Sequence, residues 1–175
     1  KRQAGIRLSS SCHVELENVE ILDNVSMGAG GGVFSEGSSI EFNGGKISNN
    51  TADNSGGAIY AWFSEYENKQ AIFSNVIIND NLSNHDGNIL IDVEGENLVT
   101  FQNTLIYSNA INGGEGSAGI YASGGGNLVL HNTSITNNYC LNNSINCTGS
   151  LNYYPNENFS TCLLYTSDAA DEEDS

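Results

Sequence analysis

One four-residue pattern, Ile-x-x-Asn, recurs five times along this chain: Ile21-Leu22-Asp23-Asn24, Ile47-Ser48-Asn49-Asn50, Ile78-Asn79-Asp80-Asn81, Ile106-Tyr107-Ser108-Asn109 and Ile135-Thr136-Asn137-Asn138. Five residues before each Ile stands a large apolar side chain: Leu16, Phe42, Phe73, Phe101 and Leu130. After each of the first four Asn comes a patch of small residues and then an apolar pair, Val33-Phe34, Ile59-Tyr60, Ile89-Leu90 and Ile120-Tyr121. Successive Asn positions lie about 26 to 31 residues apart, an interval at which each copy is one supersecondary unit of a stacked array. The fifth copy lacks a Gly-Ile-Tyr segment, so its last strand is expected to be missing.

No copy contains a window with the i, i+3, i+4, i+7 spacing of an amphipathic helix. Triplets such as Val14-Glu15-Leu16, Ile40-Glu41-Phe42 and Val99-Thr100-Phe101 alternate at period two, which turns one apolar face inward on a strand. A single coil cannot bury that face alone. Stacking coils about 4.8 Å apart aligns the Leu/Phe positions into one inward row and the Ile positions into another. The expected fold is therefore all-β: a single-stranded right-handed parallel β-helix, a solenoid of about five coils with three short strands in each. Residues 1–13 are expected to form a partial coil or cap, 14–161 the repeats, and 162–175 a tail.

The corners follow from composition. The chain has 20 glycines, a single proline and about 26 asparagines. Gly and Asn both enter the left-handed region at low cost, which suits sharp turns between strands. An Asn at one corner of every coil, Asn24, Asn50, Asn81, Asn109 and Asn138, is expected to take that conformation and to pass amide hydrogen bonds to its copies above and below. A leucine-rich repeat lacks support because its Leu-x-x-Leu-x-Leu signature is absent.

The segment Ile47-Ser-Asn-Asn-Thr-Ala-Asp-Asn-Ser-Gly56-Gly57-Ala58-Ile59-Tyr60-Ala61 resembles the repeat of chlamydial-type polymorphic outer membrane proteins, which pairs Gly-Gly-Ala-Ile with Phe-x-x-Asn. The resemblance spans roughly residues 14 to 140, with Ile where that family has Phe. It implies a secreted passenger β-helix acting as an adhesin, often followed by an outer-membrane barrel.

With 21 acidic and 5 basic residues the formal charge is −16, which excludes a sequence-independent binder of nucleic-acid phosphates. No apolar run reaches transmembrane length. The stretch from Cys162 onward loses Asn and Gly, gathers acids, and resembles the conceptual translation of a transposase-type sequencing-library adapter; the alternative is a solvated acidic tail.

Parallel β-helices also carry glycan-cleaving enzymes, whose lyases join Ca²⁺-holding carboxylates to an Arg or Lys base. Here only Lys46 and Lys69 fall within the coils, and adjacent Asp pairs are absent before the tail, so no catalytic residue is assigned. His13, His85 and His131 occupy unrelated repeat positions. Asp80, Asp86 and Asp92 supply hard oxygen ligands for Ca²⁺, but Asp80 fills a slot held elsewhere by Asn49, Ser108 and Asn137, which reads as a polar corner. No other cofactor is expected. The insertion Ala61–Gln70 carries the single Trp, and Trp62, Phe63 and Tyr66 form either a contact platform for sugars or a partner protein, or a flap folded over the coil edge. Cys140 and Cys147 lie close enough in sequence to pair in an oxidising compartment. The leading expectation is a non-enzymatic segment, extracellular or at a cell surface, that contacts a host or neighbouring surface protein or polysaccharide. The alternative is a piece of a polysaccharide lyase or glycoside hydrolase whose catalytic coils lie elsewhere.

Overall fold

A computed structural model describes residues 4–9, 11–65, 68–113, 116–141, 147–153 and 160–164. Among them every regular element is a strand, and the strands form three parallel sheets of seven, five and nine members. The chain is a parallel β-solenoid of about five turns. In the second coil, strand Ser39–Ser48 belongs to the nine-stranded sheet, Thr51–Ala52 to the five-stranded one and Ile59–Phe63 to the seven-stranded one. The next coil then re-enters the nine-stranded sheet at Gln70–Ser74.

The rows expected from sequence are the Cα registers of the nine-stranded sheet. Leu16 faces Phe42, Phe42 faces Phe73, Phe73 faces Phe101 and Phe101 faces Leu130. Ile21, Ile47, Ile78, Ile106 and Ile135 pair in the same successive manner. Val33, Ile59, Ile89 and Ile120 make a third inward row, on the seven-stranded sheet. Phe42, Phe73 and Phe101 are buried and their rings stack with centroids 6.2 and 5.1 Å apart, filling the axis of the solenoid. Full burial of each such side chain stabilises the fold by about 1.5–3 kcal/mol.

Two features differ from expectation. The fifth copy keeps its strand in the seven-stranded sheet: Leu151–Tyr153 pairs with Gly116–Ser123 and sets Leu151 against Ile120. A Leu flanked by Ser150 and Asn152 does the inward work of the missing Ile without the Gly-Ile-Tyr signature. Second, the third and fourth coils contain four strands rather than three, and the described residues of the fifth contain five. Asn18 and Gly44 take left-handed φ values of 52° and 72° inside continuous ten-residue strands. Asn75, Asn103 and Asn132, at 59°, 49° and 46°, stand between two separate short strands. Strand Ser160–Leu164 pairs in parallel with Asn127–His131, adding a strand to the nine-stranded sheet.

Candidate functional site

The five ladder asparagines are joined as expected. Each Asn from 24 to 109 donates both its backbone N–H and its Nδ2 to the Oδ1 of the Asn one coil on, at 2.9 to 3.1 Å. The remaining amide hydrogen of Asn50, Asn81, Asn109 and Asn138 reaches back to the carbonyl of Ile21, Ile47, Ile78 and Ile106 respectively. The polar column therefore locks onto the apolar Ile row beside it. Asn50, Asn81, Asn109 and Asn138 are buried, where satisfied amide pairs are worth most and a missing partner costs most.

These asparagines are not the left-handed residues. That conformation belongs to the residue just before each: Asp23, Asn49, Asp80, Ser108 and Asn137, with φ between 54° and 57°. The division of labour has a simple cause. A left-handed residue at the corner points outward and needs only a short polar side chain, whereas the ladder residue must turn inward to reach its copies.

A second ladder runs along the outside, and the repeat spacing did not reveal it. Asn132 donates to Asn103, Asn103 to Asn75, and Asn75 to Asn43, at 2.8 to 3.2 Å; Asn43 in turn donates to the Glu17 carboxylate at 3.4 Å. It borders a groove of about 340 Å³ on the nine-stranded sheet, lined by Glu15, Glu17, Glu41, Asn43, Asn75 and Gln102 among others. Its one legible signal was an Asn six residues before each of Asn81, Asn109 and Asn138.

The candidate contact residues divide between two sides of one strand. Strand Ile59–Phe63 alternates, so Ile59, Ala61 and Phe63 point inward and Tyr60 and Trp62 point outward. Phe63 is fully buried and belongs to the core, which removes it from any contact platform, whereas Trp62 is 38% exposed. Tyr66 lies outside the described residues. The insertion that follows is held by buried Asn97, whose Oδ1 accepts from the Lys69 N–H at 2.7 Å and whose Nδ2 donates to the Ser64 carbonyl at 2.6 Å.

Around Trp62 the outward face of the seven-stranded sheet forms two adjacent columns. Arg7, Phe34, Tyr60, Leu90 and Tyr121 make one, and Ser9, Glu36, Trp62, Asp92 and Ser123 the other. The Phe34 and Tyr60 rings are near-parallel at 5.1 Å. The Arg7 guanidinium lies 4.0 Å from the Phe34 ring centre and 3.8 Å from a Glu36 oxygen. Burial, followed by the charges of Asp92, Glu36 and Asp86, holds the Tyr60 hydroxyl above its ordinary pKa.

Asp80, Asp86 and Asp92 do not converge. Asp80 is a left-handed corner residue accepting from Asn79 Nδ2, Asp86 opens strand Asp86–Val93 and accepts from Ser55 Oγ at 2.9 Å, and Asp92 sits near the far end of that strand with Ser123 Oγ at 3.0 Å. Among the described residues no three His, Cys, Asp or Glu side chains are grouped to hold a metal ion. His13, His85 and His131 are exposed, and His13 lies 3.2 Å from Glu15. Cys140 and Cys147 form a disulfide with Cα atoms 6.2 Å apart, while Cys12 is a free, exposed thiol. Among the described residues no helix is long and apolar enough to cross a membrane.

Compared with known proteins, the chain matches no family model, no curated protein and no solved structure.

Proposed function

We propose that this solenoid is a non-enzymatic contact scaffold, extracellular or cell-surface, whose flat outer faces meet a protein or polysaccharide of a host or neighbouring surface. The observation that carries this reading is exposed Trp62 on the outward side of a sheet whose other side is fully packed, flanked by half-buried Tyr60, which stacks on buried Phe34. Aromatic rings held outward on a rigid frame supply contact area at little entropic cost. The buried Asn ladder supports the same role, because it fixes coil spacing and hence the spacing of side chains along the face. A Cys140–Cys147 disulfide fits an oxidising compartment. The Gly-Gly-Ala-Ile repeat at residues 56–59 supports a passenger-like adhesin similar to the polymorphic outer membrane proteins.

The test immobilises the full chain and measures retention of intact cells, surface proteins and a polysaccharide panel, with release of reducing ends and unsaturated sugars followed in parallel. Saturable retention without sugar release is expected. Cleavage of any panel polysaccharide, or no retention of any surface component, overturns the scaffold reading.

A further inference from the structure

The outward face of the seven-stranded sheet already contains one worked example of recognition. The Arg7 guanidinium stands over the Phe34 ring, 4.0 Å from its centre, and reaches the Glu36 carboxylate at 3.8 Å. A planar cation is thereby set over an aromatic ring and tied to an acid two residues along the same strand, an arrangement that suits guanidinium far better than a compact ammonium. One coil further on, the same two columns present Tyr60 in place of Phe34 and Trp62 in place of Glu36; the next coil supplies Asp92 beside Trp62. Trp62 thus stands between two carboxylates, Glu36 one coil before it and Asp92 one coil after. At about 4.8 Å per coil those acids are about 10 Å apart across the indole. No basic side chain of the seven-stranded sheet other than Arg7 shares this face among the described residues.

The geometry points to a docking site for an arginine-rich extended segment of a partner protein, with one guanidinium stacked on Trp62 between Glu36 and Asp92 in the manner of Arg7 on Phe34. This deepens the contact-scaffold reading and rests on it. Two further facts fit the choice of occupant. The chain as a whole carries −16, so a basic partner is steered toward it. The Tyr60 hydroxyl, held protonated beside Asp92, Glu36 and Asp86, offers a donor and an acceptor at the rim of the same patch. A neutral glycan would stack on Trp62 equally well but would leave Asp92, which Ser123 Oγ meets at 3.0 Å, without a counter-charge, and Glu36 with only the half-exposed Arg7.

Trp62 is the single tryptophan of the chain, so its emission reports on this site alone. The experiment titrates the full chain with octa-arginine, octa-lysine and a neutral cello-oligosaccharide at about 0.15 M salt, where long-range attraction is screened. A saturable change in Trp62 emission is expected with octa-arginine, a weaker one with octa-lysine and none with the sugar. Glu36→Gln/Asp92→Asn should weaken octa-arginine binding by about ten-fold, the scale of two partly exposed charge contacts. Glu15→Gln/Glu41→Gln, which removes the same charge from the nine-stranded sheet, should leave it within about two-fold. Arg7→Ala, by opening Phe34 and Glu36 to the peptide, should tighten it. No saturable response to octa-arginine, equal losses in both double variants, or a sugar response exceeding the peptide's overturns the assignment. If the peptide fails while the chain still retains a surface component, the partner chemistry falls and the scaffold reading stands; if retention is absent too, both fall.

Discussion

Asn50 gives its backbone N–H and its side-chain amide to a single acceptor, Oδ1 of Asn81, at 2.9 and 3.0 Å. The same pair of bonds links Asn81 to Asn109 at 3.1 and 2.9 Å, so Asn81 stands in the middle of a chain of amides whose inner members, Asn50, Asn81 and Asn109, are buried and each serve both neighbours. Its amide also meets the Ile47 and Asn79 carbonyls.

Replacing Asn81 should therefore do more than remove one contact. Asn81→Ala leaves the two Asn50 donors and the Ile47 carbonyl without their Asn81 partner, at about 1–3 kcal/mol for each group that finds no water, while the Asn79 carbonyl keeps the Asn49 N–H at 3.3 Å. A loss of about 3–5 kcal/mol is expected, read as a lower urea midpoint with little change in slope. Asn24 is only partly buried and starts the column, so Asn24→Ala should cost about 1 kcal/mol. Equal losses at the two positions would mean that the ladder does not act as a buried, chained network.

Trp62 and Phe63 are neighbours with opposite fates. Phe63→Ala empties a fully buried site and should cost about 3–5 kcal/mol of stability. Trp62→Ala removes a partly exposed side chain and should cost less than about 1 kcal/mol. Denaturation of the two variants side by side checks the inward and outward assignment of the strand directly.

Gly57 occupies a position where a Cβ has no room. An added methyl would sit 2.3 Å from the Leu82 carbonyl oxygen and 2.5 Å from Asn88 Oδ1, and the first of these is backbone of the next coil. Relief requires moving two stacked coils apart, so Gly57→Ala should destabilise by about 1–3 kcal/mol. Ala58, one residue on, already carries its methyl in the core. Thermal unfolding that leaves Gly57→Ala at wild-type stability would show that the coils are not held at this spacing.

Tyr60 predicts a pH effect of definite sign. Its folded pKa lies above the unfolded value of about 10, chiefly from burial and then from Asp92, Glu36 and Asp86. As pH rises past 10, the unfolded chain loses this proton first and the folded chain keeps it. The contribution is thus fully present below about pH 10 and is lost as pH climbs through the raised folded pKa. Absorbance titration should show one late-ionising tyrosine in the native chain, absent in Tyr60→Phe, and Tyr60→Phe should resist alkaline unfolding better than wild type.

The inward rows were legible because a solenoid repeats one geometric demand at one interval, and Leu/Phe and Ile answered it in all five copies. Corner roles were not legible, because Asp23, Asn49, Asp80, Ser108 and Asn137 share a tolerance for left-handed φ with the Asn that follows each of them. Only the direction of the side chain separates the two positions. The outer ladder hid for a related reason: Gly44 takes the left-handed slot in the second coil, and Asn43 one residue earlier carries the amide, so the column is displaced by one. Leu151 escaped notice because its neighbours are not those of the other copies. The proposed contact face was half legible. Counting by twos from inward Ile59 sends Tyr60 and Trp62 outward and Phe63 inward, but the stacking of Arg7 on Phe34 joins residues of different coils that no local pattern connects.

The disulfide should act on the fifth coil and not on the coils before it. Cys140 closes strand Tyr139–Cys140 of the five-stranded sheet and Cys147 opens strand Cys147–Thr148 of the seven-stranded one, seven residues apart. Closing so short a loop is worth about 2.5 kcal/mol in the chain-entropy model. In a stacked array each coil contacts only its neighbours, so that loss falls on the coil that contains the bond. Cys140→Ser/Cys147→Ser should therefore speed amide exchange at Tyr139 and Leu141, which donate to the Asn109 and Ile111 carbonyls, while Asn50 and Asn81 keep their protection. Hydrogen exchange resolved along the chain reads both at once. A uniform fall in protection from Asn50 to Leu141 would show instead that the coils unfold as one cooperative unit, and that the bond stabilises all of them.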